Sequence, residues 1–214
     1  MSDIKAIAFD VGETLIDESR IWLRWAEYLG VPPATLMGVI GAMAAQDLPL
    51  ERAFDVIQPG IDIAQKQIEW ALTEPESLRA GFDGADLYPD VIPALSELAG
   101  LGYRLIIAGN QPPEATPALV KMNLPVDVIR NSAEIGAEKP SDAFFDAVIE
   151  LAGCPPAQIA YVGDRLDNDV LAAQKHGIRP ILIRRGPWGY LHATRPAASD
   201  VTVINSILDL PAVL

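Results

Sequence analysis

The sequence predicts an α/β protein: a doubly wound parallel sheet with a four-helix block inserted behind its first strand. Three observations predict it. An apolar run, Ile4 to Phe9, opens the chain and stops on Asp10, as a buried strand does when it presents a carboxylate at the sheet edge. From about residue 84 onward, short apolar segments alternate with stretches of helical periodicity, the pattern of a parallel sheet covered on both faces. Between these lies a block with helical spacing and no strand pattern, so the chain leaves the sheet and later returns to it.

The first strand runs into a tight turn, Val11-Gly12-Glu13-Thr14-Leu15. In the helical block, expected over residues 17–83, Ile21, Trp22, Trp25, Tyr28 and Leu29 recur at helical spacing. The two tryptophans read as packing, and Arg20 and Arg24 between them as a solvated face. Pro32-Pro33 ends this helix and suits the first turn of the next. The apolar run Leu36 to Ala45 is too short to span a bilayer. It is a packed helix or a contact surface, which leaves a homodimer open. A short helix over Glu51 to Ile57 ends near Pro59-Gly60; Ile61, Ala64, Ile68, Ala71 and Leu72 mark a fourth, with helical pattern to about Leu78. Gly81-Phe82-Asp83-Gly84 forms the boundary.

Beyond it the expected order is helix Val91 to Ala99, strand Arg104 to Ala108, a shorter strand Val126 to Ile129, and helix Phe144 to Leu151. Strand Ile159 to Val162, helix Val170 to His176, strand Ile181 to Arg184 and strand Val201 to Val203 complete it. Gly186 to Tyr190 is expected as a loop, either structural or a rim of the site. The expected domains are a Rossmann-like core, residues 1–16 with 84–214, and an inserted helical domain, residues 17–83.

Composition excludes several classes. The 214 residues are enough to bury a sizeable core, and with 50% of them apolar and 21% charged a globular protein is expected. A net charge of −13 opposes nucleic-acid binding. No apolar run reaches the roughly 20 residues of a membrane span, and no basic-then-apolar signal pattern opens the chain, so a cytoplasmic location is expected. The lone Cys154 has no partner for an internal disulfide, and His176 and His192 are isolated from any metal or triad pattern.

The chemistry gathers at strand ends. The first strand ends at Asp10, the second runs into Gly109-Asn110-Gln111, the loop after the third reaches Glu138-Lys139-Pro140, and the fourth ends in Gly163-Asp164-Arg165-Leu166-Asp167-Asn168-Asp169. In a doubly wound sheet these ends converge on one crevice. Asp10, Asp164 and Asp169 would there meet Lys139, and three carboxylates so close require a counter-charge. A divalent cation supplies it; an all-oxygen donor set selects magnesium over zinc.

This constellation resembles the haloacid dehalogenase superfamily, most of whose members are magnesium-dependent phosphatases. Asp10 matches the first motif, Asn110 lies in the second, Lys139-Pro140 matches the third, and Asp164 and Asp169 match the fourth; the helical insert looks like the type-1 cap. The resemblance implies a small phosphorylated substrate and an aspartyl-phosphate on Asp10. It further implies a Mg2+ held by Asp10, the Gly12 carbonyl, Asp164 and Asp169, and Lys139 against the transferring group. Backbone amides after Asp10 and around Gly109 and Asn110 would cradle the phosphate.

Two positions depart from the pattern. The phosphatases carry a second aspartate two residues after the nucleophile, where this chain has Gly12; Glu13, next in sequence, is the candidate replacement for its acid/base work. Gly109 stands where a serine or threonine hydroxyl usually meets the phosphate. Alternatives from the same fold are a 2-haloacid dehalogenase, which needs no metal, and a phosphonate hydrolase, which would need Lys66 for a Schiff base. A non-catalytic binding protein is the third.

Overall fold

The computed structural model describes residues 4–73 and 81–214. The expected helical pattern out to Leu78 therefore ends, in part, outside the described residues. The chain divides into two compact units: residues up to Asp17 together with Leu87–Leu214, and Glu18–Asp86.

The first unit is a six-stranded, wholly parallel sheet in the order β3-β2-β1-β4-β5-β6. Its strands are β1 Ala6–Phe9, β2 Arg104–Ile107, β3 Val128–Ile129, β4 Ile159–Gly163, β5 Arg179–Ile183 and β6 Thr202–Ile204. β1 sits at the centre with Phe9 opposite Ile107 on one side and Val162 on the other, and all four of its residues are buried. That is why it reads as a continuous apolar run rather than an alternation. The third and last strands are shorter or shifted relative to the sequence expectation, because edge pairing rather than apolar content sets where a strand ends.

The α-helices among the described residues are α1 Ser19–Leu29, α2 Pro33–Ala45, α3 Glu51–Ile57, α4 Ile63–Thr73, α5 Val91–Gly100, α6 Ala115–Lys121, α7 Ser132–Ile135, α8 Asp142–Ala152, α9 Leu171–Lys175, α10 Gly186–His192 and α11 Leu210–Val213. α5 buries Val91, Ala94, Leu95 and Leu98 along one stripe, the i, i+3, i+4, i+7 spacing of a helix on a sheet. α8 buries Phe144, Phe145 and Val148, and Phe145 meets Tyr161 of β4 edge-on at 5.4 Å between centroids. Three features differ from expectation. α6 and α7 are absent from the sequence reading because each is two turns or fewer and shows no repeat of its apolar spacing. The segment expected as a loop, Gly186 to Tyr190, is the start of α10, with Pro187 in its first turn. Ahead of α9, Leu166–Val170 winds as a π-type turn, a form frequent at functional sites.

The second unit holds α1 to α4. α2 begins at Pro33 and buries Leu36, Ile40, Met43 and Ala44, so the apolar run packs one face of a helix. Trp25 is its centre: its ring lies 4.8 Å from Phe54 and 4.6 Å from Trp70. Arg20 is not simply solvated; it pairs with Asp86 at 2.6 Å and Asp83 at 3.2 Å. Lys66 Nζ lies 4.5 Å above the Tyr28 ring and 2.9 Å from Glu69. No single helix among the described residues is long and apolar enough to cross a membrane.

Candidate active site

The adjacency of β2, β1 and β4 delivers Gly109-Asn110, Asp10 and Asp164 to one edge of the sheet. The main-chain ladder continues one residue past β1, with Asp10 N–H donating to Val162 C=O at 2.9 Å, so the Asp10 backbone is fixed by the sheet itself. Asp10, Asp164 and Asp169 are buried, and each offers a carboxylate oxygen within 4.8 Å of the others. Lys139, from the loop between α7 and α8, lies 2.6 Å from an oxygen of Asp10 and 2.6 Å from one of Asp169. The second Asp169 oxygen accepts the Arg165 N–H at 2.9 Å.

One ammonium faces three carboxylates, so the fully ionised cluster carries two negative charges in excess. The titration directions follow. Burial pushes the Asp164 carboxyl well above the usual carboxylate range, and the charges of Asp169, Asp10 and Glu13 push the same way. Burial also raises Asp169, against the pull of Lys139, to about 6. Burial disfavours the Lys139 charge, but Asp10 and Asp169 outweigh it and hold the ammonium well above its ordinary value. Among the described residues no ion pair is made by Asp164, whereas Asp10 and Asp169 share Lys139. A divalent ion that prefers oxygen ligands fits both the donor set and the excess charge.

Other residues set the lysine's position. Asn110 was expected to contact phosphate, but its side-chain amide is committed elsewhere. Its oxygen accepts the Lys139 N–H at 2.7 Å, and its Nδ2 donates to the Lys139 carbonyl at 3.0 Å. This reciprocal pair fixes the lysine backbone from the end of β2. Tyr161, inside β4, places its ring 5.6 Å from Lys139 Nζ and donates its hydroxyl to the Ala108 carbonyl at 2.7 Å. A tyrosine in an otherwise apolar buried strand was the available signal for it.

Gly109 has a steric reason to be glycine. A Cβ there would lie 2.4 Å from Asp10 Oδ1 and 3.2 Å from Val11 N, so the nucleophile candidate occupies the space of the missing side chain.

Gly12 is half-buried in the turn whose N–H groups, from Thr14, Leu15 and Ile16, converge on the Val11 carbonyl. Glu13 follows with φ 49°, a left-handed conformation that costs a non-glycine residue energy. Its side chain is buried, and its Oε2 accepts the Tyr88 hydroxyl at 2.5 Å. It lies against Gly186, where a Cβ would come within 2.6 Å of Glu13 Cγ. Burial and the Glu13 charge both raise the Tyr88 phenol, which therefore stays a donor. The Arg185 guanidinium covers the Tyr88 ring at 4.0 Å, donates to the Thr14 carbonyl at 2.6 Å and pairs with Asp90. Sequence reasoning missed Tyr88 and Arg185; Tyr88 sits in no strand or motif, and for Arg185 its place just after β5 was the available signal.

His192, read from the sequence as isolated, is almost fully buried. Its Nδ1 accepts the Leu166 N–H at 2.8 Å and so ties α10 to the turn that carries Asp169. Arg165 forks onto Asp167, Nε to Oδ1 at 3.1 Å and Nη2 to Oδ2 at 2.7 Å, and its Cζ lies 4.8 Å over the Trp188 ring.

The sequence model of haloacid dehalogenase-like hydrolases matches residues 4–177, a span that includes every residue of the carboxylate–lysine cluster. The chain belongs to this hydrolase family. A glyceraldehyde 3-phosphate phosphatase of Methanopyrus kandleri is 27% identical over 86% of this chain and 86% of its own length. A phosphoglycolate phosphatase of Aliivibrio fischeri is also 27% identical, over 95% and 92%. The solved structure of a predicted phosphoglycolate phosphatase from Haemophilus somnus superposes with a TM-score of 0.71 at 21% identity, covering 100% of this chain and 99% of that one, which shows the shared fold.

Proposed function

We propose that this enzyme is a phosphatase that cleaves a small phosphorylated metabolite through an aspartyl-phosphate on Asp10, with Mg2+ as its cofactor. The observation that carries the reading is the Lys139 ammonium bridging Asp10 and Asp169 at 2.6 Å, while the third carboxylate, buried Asp164, makes no ion pair among the described residues. That arrangement orients one carboxylate and leaves an excess of negative charge that a divalent cation would offset. The phosphatase relatives support the same reaction class.

Asp10, Asp164, Asp169 and the Gly12 carbonyl would hold the cation. When bound, Mg2+ would offset the cluster's excess charge and that of the phosphoryl group. Asp10 attacks phosphorus; the new O–P bond forms as the bond to the leaving oxygen breaks. Lys139 stays charged throughout, because two carboxylates hold its proton, and offsets charge on the transferring group. Backbone amides after Asp10 and beside Gly109 take the phosphate oxygens that a side-chain hydroxyl would otherwise meet. The leaving oxygen needs a proton that Gly12 cannot give. Glu13, held by Tyr88, is the adjacent carboxyl assigned to that work, and to activating the water that releases phosphate from Asp10.

Two observations oppose the alternatives. Lys66 is paired with Glu69 and covered by Tyr28, which ill suits a Schiff-base amine. A metal-free dehalogenase has no need of a buried Asp164 that lacks a counter-charge. A panel of phosphate esters assayed with and without Mg2+, beside Asp10→Asn, tests the proposal. Mg2+-dependent release of phosphate abolished by Asp10→Asn is expected; activity that survives chelation or survives Asp10→Asn overturns it. Gly12→Asp should raise turnover if the rest of the site is intact.

A further inference from the structure

We infer that Arg165 forms a second anion subsite beside the phosphoryl site and selects substrates that carry a carboxylate or a second phosphoryl group. The inference rests on the phosphatase reading and narrows its substrate class.

Arg165 follows Asp164 directly in the chain, and its own N–H binds Asp169, so its backbone belongs to the carboxylate cluster. Its side chain is held on two sides. Asp167 grips Nε and Nη2 through a two-point fork, and Trp188 stacks under the guanidinium plane at 4.8 Å. The third nitrogen, Nη1, makes no hydrogen bond among the described residues, and the side chain keeps 23% of its surface exposed. A planar guanidinium held along one edge, with its third nitrogen unbonded, is preorganised for one more anion.

The neighbouring cations are not available in this way. Lys139 is closed between Asp10 and Asp169, and Arg185 is committed to the Thr14 carbonyl and Asp90. The two named relatives differ in this very chemistry: phosphoglycolate carries a carboxylate, glyceraldehyde 3-phosphate a neutral aldehyde. Arg165 favours the first kind.

The experiment compares phosphoglycolate, ethylene glycol bisphosphate and the neutral-tailed ethyl phosphate on the Mg2+-loaded wild-type enzyme, Arg165→Gln and Trp188→Leu. For Arg165→Gln the ratio of kcat/KM on phosphoglycolate to that on ethyl phosphate should fall about 10- to 100-fold, the scale of one charge-assisted hydrogen bond. The change should come chiefly through KM. Trp188→Leu should lower the ratio in the same direction. A matching fall for the bisphosphate identifies a general anion site, and a fall for phosphoglycolate alone identifies a carboxylate site. An unchanged ratio overturns the inference while leaving the phosphatase reading standing. If no ester is hydrolysed, that reading fails instead, and calorimetric titration of phosphoglycolate against ethyl phosphate into Asp10→Asn, with and without Arg165→Gln, decides the subsite: equal affinities in both proteins overturn it.

Discussion

At the scale of single residues, two glycines stand where the resemblance to the family implies side chains, and their surroundings differ. Gly12 is half-buried in its turn, and Gly12→Asp tests what a carboxyl there adds. At Gly109 a Cβ meets Asp10 Oδ1 at 2.4 Å. Gly109→Ser and Gly109→Ala should therefore both lower kcat, by about 100-fold if Asp10 is displaced by the order of an ångström. Equal losses would assign the effect to the Cβ; a gain on serine alone would show that the hydroxyl outweighs the clash. Glu13 admits a separate test. Glu13→Gln keeps the Tyr88 contact but removes the proton, so turnover of alkyl phosphates should fall by about 10²- to 10⁴-fold, and that of aryl phosphates, whose leaving groups need no proton, far less. Equal losses on both classes would exclude Glu13 as the proton donor. The residues of the cluster were legible in the sequence because each ends an apolar strand or sits in a motif. What Asn110 and Glu13 bind was not, since hydrogen-bond partners across 29 and 75 residues leave no local pattern.

At the scale of elements, the parallel sheet and the helical insert were legible because both periodicities are long and clean. The short pieces around the site were not. α10 reads as a Gly/Pro loop, and only its tertiary role explains it: it carries Trp188 under Arg165 and His192 onto Leu166. The π-type turn Leu166–Val170 holds Asp169 against Lys139, and its first N–H is satisfied by a side chain from another helix. His192→Ala leaves that buried N–H without its partner and should cost about 1–3 kcal/mol of stability by urea unfolding. It should also weaken Mg2+ affinity, because the turn that supplies Asp169 loses its tie. Loss of stability with unchanged Mg2+ affinity would show that the tie serves folding alone.

At the scale of the whole molecule, the chain concentrates part of its −13 net charge in a buried cluster that is not neutral by itself, and this links stability to pH and to cation. Asp169 has its carboxyl raised from 3.8 to about 6, and Asp164 is raised in the same direction. A carboxyl whose pKa is higher folded than unfolded binds its proton more tightly in the fold. Its stabilising contribution is complete below the unfolded value and disappears as pH rises through the folded one. In chelator, the wild type should therefore lose stability relative to Asp164→Asn as pH rises above the ordinary carboxylate value of 3.8, the asparagine having no charge to bury. Carboxylates elsewhere that are lowered, such as Asp90 beside Arg185, act with the opposite sign in both proteins and cancel in the difference. The proposed Mg2+ would bind the ionised cluster, so the gap should close with the metal present at neutral pH. At a free concentration of 100 times its Kd, the metal adds about 2.7 kcal/mol to the folded wild type. Thermal melts of both proteins across this range, with chelator and with Mg2+, measure the difference directly. A gap that does not widen with pH in chelator, or that Mg2+ leaves unchanged, would mean that the three carboxylates do not share one cation.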